Sequence, residues 1–306
     1  MSAVRPRDRL VLFVVQGREQ GKVINLRSGA VLVGRERSAQ ISLEDDAVSR
    51  QHARICIEDG SAHVEDLASL NGTFVNEQRI HEKTRIENGD QLRFGHNTIV
   101  KFWILDSLEQ NALETLFELT SRDPLTRLYN RRYFEERLRS ELSFARRHDV
   151  PLAVLLVDID HFKRVNDEFG HPTGDQVLKL VASSMLAVTR PEDVLARYGG
   201  EEFILLARNT ARSNAIALAE RVRRAVQACR LPEASLQITL SAGVAFARPG
   251  AFPASAEALV AAADAALYEA KESGRDRVCV ANDLADARAS TTTLDTIPPI
   301  PNVASR

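Results

Sequence analysis

The chain has few cysteines, no long apolar run and almost no excess charge, and each of these shortages excludes a class of protein. Its three cysteines, Cys56, Cys229 and Cys279, are widely spaced, which fits neither a disulfide framework nor a zinc site and is typical of a reducing compartment. The apolar run from Leu10 to Val15 is too short for a signal peptide or a membrane span. We therefore expect a cytoplasmic protein without a membrane partner.

Nucleic acid is not an expected partner either, because 40 basic and 42 acidic residues leave a net charge of −2. A length of 306 residues, with 44% hydrophobic and 27% charged residues, is typical of a soluble protein with two domains. The residue pattern changes along the chain, and its changes suggest the boundaries. We predict a β domain over 1–105, a helical linker over 106–121, an α/β domain over 122–282 and a disordered tail over 283–306.

Short strand-like runs broken by turn residues fill about the first hundred residues, which predicts a β-sandwich. Loops between these runs carry three polar clusters, at Gly34-Arg35, at Ser49 to His52 and at Ser69 to Thr73. An arginine fork, a hydroxyl and an amide are the donors that a phosphate dianion needs. The alternative for His52 and for Asn71-Gly72 is structural, as a packed core side chain and a tight turn.

The ordered clusters Gly-Arg, Ser-x-x-His and Asn-Gly resemble those of a forkhead-associated domain. This resemblance implies an eleven-stranded all-β sandwich that binds phosphothreonine peptides, with His52 in a structural role. It assigns the phosphate to Arg35 and Ser49 and the peptide backbone to Asn71. Leu70 stands where some members carry a hydroxyl residue, so we expect phosphate binding here to depend more on Arg35 and Arg50.

A helical pattern follows between Ile104 and Thr120, with apolar residues three or four apart at Leu105, Leu108, Ala112, Leu116 and Leu119. Two interpretations of this helix stay open. It is either a short solvated connector or one half of a two-helix stalk that aligns two copies of the chain.

Strand and helix patterns alternate beyond Arg122, which predicts an α/β sandwich. Amphipathic helices are expected at 130–148, 175–188, 211–229 and 255–272, and strands at 152–157, 194–196, 203–207, 236–246 and 278–281. The strand at 152–157 is apolar throughout, so we expect both of its faces to be covered.

The stretch from Arg197 to Phe203 contains two glycines followed by two carboxylates, Glu201 and Glu202. Strand-like runs on both sides place it at a hairpin tip, where glycines allow a tight turn and the close approach of a ligand. Asp158 directly follows the buried strand, at the end where α/β folds place ligands. We predict that these three carboxylates meet, and their repulsion then calls for hard divalent cations, which suit nucleotide phosphates.

Asn166 and Asp175 supply an amide and a carboxylate that are able to read the Watson–Crick edge of guanine, although Asp175 alone also fits a helix cap. Lys271 and Arg275 lie four residues apart, and we expect both to project from one end of a helix. Two cations at a helix C-terminus are favourable without any function. Here they also supply charge for a triphosphate.

The ordered segments Asp123 to Arg132, Asp158 to Asp175, Gly199 to Phe203 and Lys271 to Arg275 together resemble a GGDEF-domain diguanylate cyclase. The resemblance implies a ferredoxin-like nucleotidyl-cyclase palm that condenses two GTP into cyclic di-GMP and two pyrophosphates. It implies two Mg²⁺ ions, with Mn²⁺ as the alternative, on Asp158, Glu201 and the Ile159 carbonyl. It further implies phosphate binding near Phe162, Lys163, Lys271 and Arg275, guanine binding by Asn166 and Asp175, and deprotonation of the 3′-hydroxyl by Glu201 or Glu202.

Because each monomer of such an enzyme holds one GTP, the resemblance also implies an antiparallel homodimer. The segment Arg190-x-x-Asp193 matches the family's inhibitory site for the product, with Arg221 as a second arginine, whereas the alternative is a local ion pair. In the tail, Thr292 precedes Asp295 by three residues. A phosphorylated tail is therefore an alternative to an external phosphothreonine protein as the ligand of the first domain, and an inert tail is the simpler expectation.

Three functions compete on this evidence: an active cyclase gated by phosphothreonine binding, a degenerate cyclase fold that senses GTP or cyclic di-GMP, and a phosphopeptide-binding scaffold. The complete set of metal-binding and nucleotide-binding residues favours the active cyclase, since a sensor needs no metal ligands. No remaining segment fits a phosphodiesterase domain.

Overall fold

The computed structural model describes residues 9–36, 38–58, 60–230 and 237–282. These residues form two compact units, one on each side of the bond between Arg122 and Asp123. The predicted tail, with Thr292, lies outside the described residues, as does the first residue of the strand predicted at 236–246. No helix within the described ranges is long and apolar enough to cross a membrane.

The N-terminal unit is a sandwich of two sheets, which confirms the predicted all-β fold. Its eleven strands are β1 (Arg9–Gln16), β2 (Val23–Leu26), β3 (Gly29–Gly34), β4 (Ile41–Ser42), β5 (Ala53–Glu58), β6 (Ser61–Asp66), β7 (Thr73–Val75), β8 (Gln78–Arg79), β9 (Thr84–Ile86), β10 (Gln91–Phe94) and β11 (Thr98–Leu105). One sheet has the order β2-β1-β11-β10-β7-β8 and the other has the order β4-β3-β5-β6-β9.

Apolar side chains from both sheets fill the space between them. Leu12 on β1, Ile55 on β5, Phe94 on β10 and Phe102 on β11 are buried in one continuous core. Burying a large apolar side chain contributes about 1.5–3 kcal/mol. This core therefore supplies the stability of the unit, and the polar loops between strands stay available for binding.

Helix α1 (Ser107–Ser121) follows β11 and belongs to the N-terminal unit. It begins with a capping box, in which the side chains of Asp106 and Glu109 each accept a hydrogen bond from the other's backbone N–H. Its inner side packs on the sandwich, with the ring of Phe117 edge-on to Phe13 at a centroid distance of 6.1 Å. Its predicted apolar face is exposed instead, with exposed fractions of 76, 59 and 69% for Leu108, Leu116 and Leu119.

The C-terminal unit is an α/β sandwich around one mixed sheet, as predicted. Its strands are β12 (Tyr129–Asn130), β13 (Leu152–Ile159), β14 (Val194–Arg197), β15 (Glu202–Arg208), β16 (Leu240–Ala247) and β17 (Val278–Val280), in the order β12-β14-β15-β13-β16-β17. Its helices are α2 (Arg131–His148), α3 (Phe162–Phe169), α4 (His171–Val188), α5 (Arg212–Gln227) and α6 (Ala256–Glu272).

The central strand β13 is buried along its whole length, which confirms the prediction from its unbroken apolar run. Two helical features differ from prediction. Helix α3 was not expected, and α4 begins at His171, four residues earlier than predicted. Gly170, with a φ of +80°, ends one helix and begins the other, and Pro172 fits the first turn of α4 because no N–H is required there.

Helix α6 lies directly on β16 at Gly243. A Cβ at this position would lie 2.0 Å from the Ala263 carbonyl oxygen and 2.3 Å from the Leu267 nitrogen. Both atoms belong to the helix backbone, so no side-chain movement relieves the contact. The missing side chain thus sets the height of α6 over the sheet, and with it the position of Lys271 near the helix end.

Gly243→Ala should lower the free energy of unfolding by about 3 kcal/mol, because the added methyl group overpacks a backbone contact. Gly200→Ala is the matched control, since a Cβ there meets no atom within 4 Å. Thermal unfolding followed by circular dichroism checks both variants. An unchanged Tm for Gly243→Ala would show that α6 does not rest on β16 in this way.

Candidate active site

Strand pairing brings the predicted carboxylates to one end of the sheet. β13 runs antiparallel between β15 and β16, and its register places Asp158 opposite Glu202 on β15 and opposite Ser241 on β16. The turn between β14 and β15 holds Glu201 at the predicted hairpin tip. Asp158 lies inside β13 and not after it, because pairing with both neighbours continues to the end of that strand.

The three carboxyls are crowded and partly buried, and this changes their acidity. Burial, only partly offset by the Lys271 ammonium 2.8 Å from Asp158 Oδ2, raises the pKa of Asp158. Burial and then the charge of Asp158 raise the pKa of Glu201 and of Glu202. One lysine thus faces three carboxyl groups, which leaves an excess of negative charge at the end of the sheet.

This donor set fits a hard divalent cation that is completed by a ligand. Within the described residues, no three His, Cys, Asp or Glu side chains are placed to hold a metal ion together. Mg²⁺ in nucleotide sites is usually bound by one or two carboxylates plus phosphate oxygens and water. Asp158 and Glu201 with the Ile159 carbonyl match that smaller protein contribution.

The turn of residues 198–201 between β14 and β15, called the signature turn below, contains two glycines with different surroundings. A Cβ on Gly199 would lie 2.5 Å from Glu202 Oε2, whereas a Cβ on Gly200 would meet no atom within 4 Å. Both glycines lie in the short turn that joins the paired strands β14 and β15, and neither adopts a left-handed φ. Gly199 gives room to the Glu202 carboxylate, and Gly200 leaves open space at the tip.

The prediction that Lys271 and Arg275 both project from the end of one helix is wrong for Arg275. Lys271 lies in the last turn of α6, but the helix ends at Glu272 and Arg275 lies beyond it with a φ of +62°. The two side chains therefore do not project from one helix, because Gly274 and Arg275 both turn left-handed after the helix end. The charge of Arg275 nevertheless acts on Asp158 and lowers its pKa, against the larger raising effect of burial.

The loop that carries Arg275 is fixed by Asp160, a residue without a predicted role of its own. The buried carboxylate of Asp160 accepts hydrogen bonds from Thr239 Oγ1 at 2.8 Å, Ser241 Oγ at 2.7 Å and the Asp276 N–H at 3.0 Å. These bonds satisfy its charge within the protein. Asp160 is therefore a structural anchor beside the site and not one of its free carboxylates.

The predicted guanine-reading pair lies on the α3–α4 hairpin. Asn166 is half-buried on α3, and Asp175 is exposed on α4. The alternative that Asp175 caps a helix is wrong, because the N-cap of α4 is Gly170 and Asp175 lies inside the helix. The predicted phosphate-binding amides of Phe162 and Lys163 lie at the first positions of α3, where N–H groups have no acceptor within the helix.

The segment predicted to bind product forms a local turn. The Arg190 N–H donates to Asp193 Oδ2, and the Asp193 N–H donates to the Arg190 carbonyl, both at 3.1 Å. The Arg190 side chain is exposed. Arg221 on α5 donates to the carbonyl of Val188 at 2.9 Å. Val188 lies two residues before Arg190, so Arg221 contacts the segment that leads into this turn.

In the N-terminal unit, the predicted phosphopeptide residues lie in loops around a buried histidine. His52 is fully buried; its Nδ1 accepts from the Ser49 N–H at 3.0 Å, so Nε2 carries the proton and donates to the Gly72 carbonyl at 3.1 Å. This bridge joins the Ser49 loop to the Asn71 loop. His52 thus has the packing expected of a structural residue.

The predicted phosphopeptide-binding side chains around the His52 bridge differ in the contacts that they make within the domain. Ser49 Oγ accepts from the Leu70 N–H at 3.0 Å, and Asn71 Nδ2 donates to the Ala47 carbonyl at 2.8 Å. Arg35 pairs with the Asp46 carboxylate at 3.2 Å. Arg50 is exposed beside them.

Two protein-family models match the chain, each almost entirely within one of its two units. The family model "Diguanylate cyclase, GGDEF domain" matches residues 120–277, which is more than half of the chain. The chain belongs to the GGDEF family. The model of the FHA domain matches residues 31–95, so a forkhead-associated domain precedes the GGDEF domain.

Curated diguanylate cyclases match more than half of the chain. The probable diguanylate cyclase DgcT of Escherichia coli K12 is 42% identical over 176 residues, which are 56% of this chain and 38% of DgcT. Diguanylate cyclase DgcP of Pseudomonas aeruginosa is 44% identical over 191 residues, 58% of this chain and 27% of DgcP. The chain thus spans between about a quarter and two fifths of the length of these relatives.

A solved structure shows the same fold. The coiled coil and GGDEF domain of DgcB from Caulobacter crescentus, in complex with c-di-GMP, superposes with a TM-score of 0.53 at 36% identity. The match covers 56% of this chain and 91% of the DgcB chain.

Two GGDEF-domain residues without a predicted role, Asp123 and Arg197, hold the signature turn. Arg197 donates to the Gly200 carbonyl at 2.7 Å and pairs with Asp123 at 3.2 Å. Although burial opposes the shift, hydrogen bonds from Thr126 and the charge of Arg197 lower the pKa of Asp123. The spacing of Asp123 and Thr126 is a turn signal that the sequence alone shows. The pairing of Asp123 with Arg197, 74 residues away along the chain, leaves no such local signal.

The histidine bridge in the FHA domain gives a pH prediction. Burial lowers the pKa of His52 below its ordinary value of 6.5. Because the unfolded chain takes up this proton more readily, the contribution of neutral His52 to stability is complete above pH 6.5 and is lost as the pH falls below it. Proton NMR titration, with His52→Gln to identify the resonance, should give a midpoint below 6.5. A midpoint at or above 6.5 would contradict the burial of a neutral His52 in the core.

Proposed function

We propose that the chain is a diguanylate cyclase, which condenses two GTP into cyclic di-GMP and two pyrophosphates. The observation that carries the proposal is the meeting of Asp158, Glu201 and Glu202 beside a single lysine, with the pKa of each carboxyl raised by burial. Such an arrangement is costly for folding. It suits a site that receives cations and a polyphosphate, and a domain that only senses nucleotide has no need of it.

We assign GTP recognition to two groups of residues in the GGDEF domain. Asn166 and Asp175 bind guanine, because an amide and a carboxylate on adjacent helices complement its donors and acceptors. The β- and γ-phosphates bind the free N–H groups of Phe162 and Lys163 at the start of α3. Lys271 and Arg275, whose charges both act on Asp158, balance the phosphate charge.

Asp158, Glu201 and the Ile159 carbonyl are the residues that would hold Mg²⁺ or Mn²⁺, two ions per site. Bound ions of this kind neutralise phosphate charge and lower the pKa of an attacking hydroxyl. Glu201 or Glu202 accepts the proton of the ribose 3′-hydroxyl as a general base. Lys271 stabilises the charge that develops on the transferred phosphate.

Two copies of the chain are needed, because one site binds one GTP and the attacking hydroxyl comes from the other. The proposed unit is therefore an antiparallel homodimer. The exposed leucine stripe of α1, formed by Leu108, Leu116 and Leu119, supports it. Aligning two such stripes buries apolar surface at helical spacing, as in a two-helix stalk.

Product inhibition is proposed at the turn of Arg190 and Asp193, with Arg221 close to it. The exposed guanidinium of Arg190 suits a phosphate or a guanine face. Burial raises the pKa of Asp193, which is a cost that an accepted hydrogen bond from a guanine ligand offsets.

Regulation by a phosphothreonine peptide is proposed for the FHA domain. Arg35 and Arg50 carry the positive charge for the phosphate, Ser49 adds a hydroxyl, and Asn71 binds the peptide backbone. The pairing of Arg35 with the Asp46 carboxylate supports this, since a carboxylate occupies the geometry that a phosphate oxygen takes. The peptide comes from another phosphoprotein or from the chain's own tail around Thr292.

Glu201→Gln tests the catalytic proposal. Removing this carboxylate should reduce the yield of cyclic di-GMP from GTP and Mg²⁺ by about 10²–10⁴-fold, the usual effect of losing an acid–base group. Glu257→Gln is the control, because Glu257 is exposed on α6 and pairs with Arg139. Chromatography of the products measures the yield. Equal yields from Glu201→Gln and wild type would refute the catalytic role, and GTP binding without product would favour the sensor.

Arg35→Ala tests the phosphopeptide proposal. A synthetic peptide of residues 288–300 phosphorylated at Thr292, and a phosphothreonine peptide library, serve as probes in fluorescence titrations with the full chain. Binding should weaken at least tenfold in Arg35→Ala, because the charged hydrogen bonds to phosphate are lost. Arg54→Ala removes an arginine with a similar carboxylate pairing and should bind as wild type.

Binding of the library but not of the tail peptide would assign the ligand to another protein. Binding of neither probe, or equal binding by their unphosphorylated forms, would refute phosphothreonine recognition.

A further inference from the structure

A glycine in the first turn of α4 touches the proposed guanine-binding amide. Gly174 is buried where α3 and α4 meet, and its N–H donates to the Gly170 carbonyl at 3.2 Å. A Cβ at this position would lie 1.9 Å from Asn166 Oδ1, 3.0 Å from Asn166 Cγ and 3.2 Å from Phe162 Cζ. The space of a side chain at position 174 is thus taken by the Asn166 carboxamide.

The helix itself gives no reason for a glycine there. Gly174 does not adopt a left-handed φ, and glycine inside a helix costs roughly 0.5–1 kcal/mol relative to alanine. The nearest obstacle to a methyl group is the Asn166 amide, and the Phe162 ring is next. The sequence therefore keeps an unfavourable residue at the point where this amide packs.

Packing, not hydrogen bonding, fixes the orientation of Asn166. Among the described residues, no hydrogen bond to its carboxamide is found, although the side chain is half-buried. Its oxygen lies against Gly174, where the Cα hydrogens are weak donors to a carbonyl-type oxygen. The Nδ2 donor is thereby left for a ligand, on the helix hairpin that also carries the Asp175 acceptor.

We infer that Gly174 is a positioning residue for nucleotide recognition: its missing side chain seats Asn166 so that the amide donor is presented beside the Asp175 carboxylate. A donor beside an acceptor complements a base edge with an acceptor next to donors, which guanine has at O6 and N1–H. The inference rests on the proposed binding of GTP at this hairpin. It adds a residue that selects the base without touching it.

Three variants test the inference, namely Gly174→Ala, Asn166→Ala and the double variant. Gly174→Ala should raise the KM for GTP about tenfold, the effect of one lost hydrogen bond, while kcat stays within about threefold. In the Asn166→Ala background the carboxamide that the methyl group would displace is absent, and only the tight contact of 3.2 Å with Phe162 Cζ remains. The double variant should therefore have the KM of Asn166→Ala within about twofold.

The outcomes that would overturn the inference are a wild-type KM for Gly174→Ala, or an effect of Gly174→Ala that is equally large in both backgrounds. If Gly174→Ala does not fold, Asn166→Ala/Gly174→Ala should fold, because the overlap with the Asn166 carboxamide is gone. A double variant that also fails to fold would show a general packing role.

Equilibrium titration with a non-hydrolysable GTP analogue separates this inference from the proposed activity. Without turnover, the Kd for the analogue should rise about tenfold in Gly174→Ala. It should be the same within about twofold in Asn166→Ala and in the double variant. A wild-type chain that binds the analogue but makes no cyclic di-GMP would refute the cyclase and leave the positioning role to be judged on Kd. A wild-type chain that binds no guanine nucleotide would overturn both.

Discussion

The crowding of three carboxylates around one ammonium group is the constraint on which the GGDEF half of this chain depends. The pairing of β13 with β15, and the turn just before β15, bring Asp158, Glu201 and Glu202 together, and Lys271 forms an ion pair with Asp158. Burial raises the pKa of each of these carboxyls, and the charge of Asp158 raises the pKa of Glu201 and Glu202 further. Further positive charge would relieve the repulsion between these carboxylates, and bound divalent cations would supply it.

Contacts from several elements of the fold hold these charged residues in position. Gly243 lets α6 rest on the sheet at the height that brings Lys271 to Asp158, and Asp160 ties down the loop that follows α6. Arg197 ties the signature turn to Asp123. The FHA domain uses the same principle, since His52 bridges two binding loops from inside the core. In both sites a buried polar group orients the exposed ones.

Local patterns in the sequence were enough to predict the two fold classes and the meeting of Asp158 with the signature turn, because an unbroken apolar run and paired glycines carry their own signal. Long-range partners were not predictable. The anchoring of Asp160 by residues some 80 positions away and the close approach of α6 to Gly243 depend on three-dimensional packing. Arg275 was misplaced because helical spacing was extended beyond the residue where the helix ends.

The most direct test of the account is the stoichiometry of the reaction with its cation. Purified chain is incubated with GTP and Mg²⁺, and the nucleotides and pyrophosphate are separated and counted. The account predicts one cyclic di-GMP and two pyrophosphates for every two GTP consumed, and no product when a chelator removes Mg²⁺. GTP recovered unchanged in the presence of Mg²⁺, or the same yield without the cation, would contradict it.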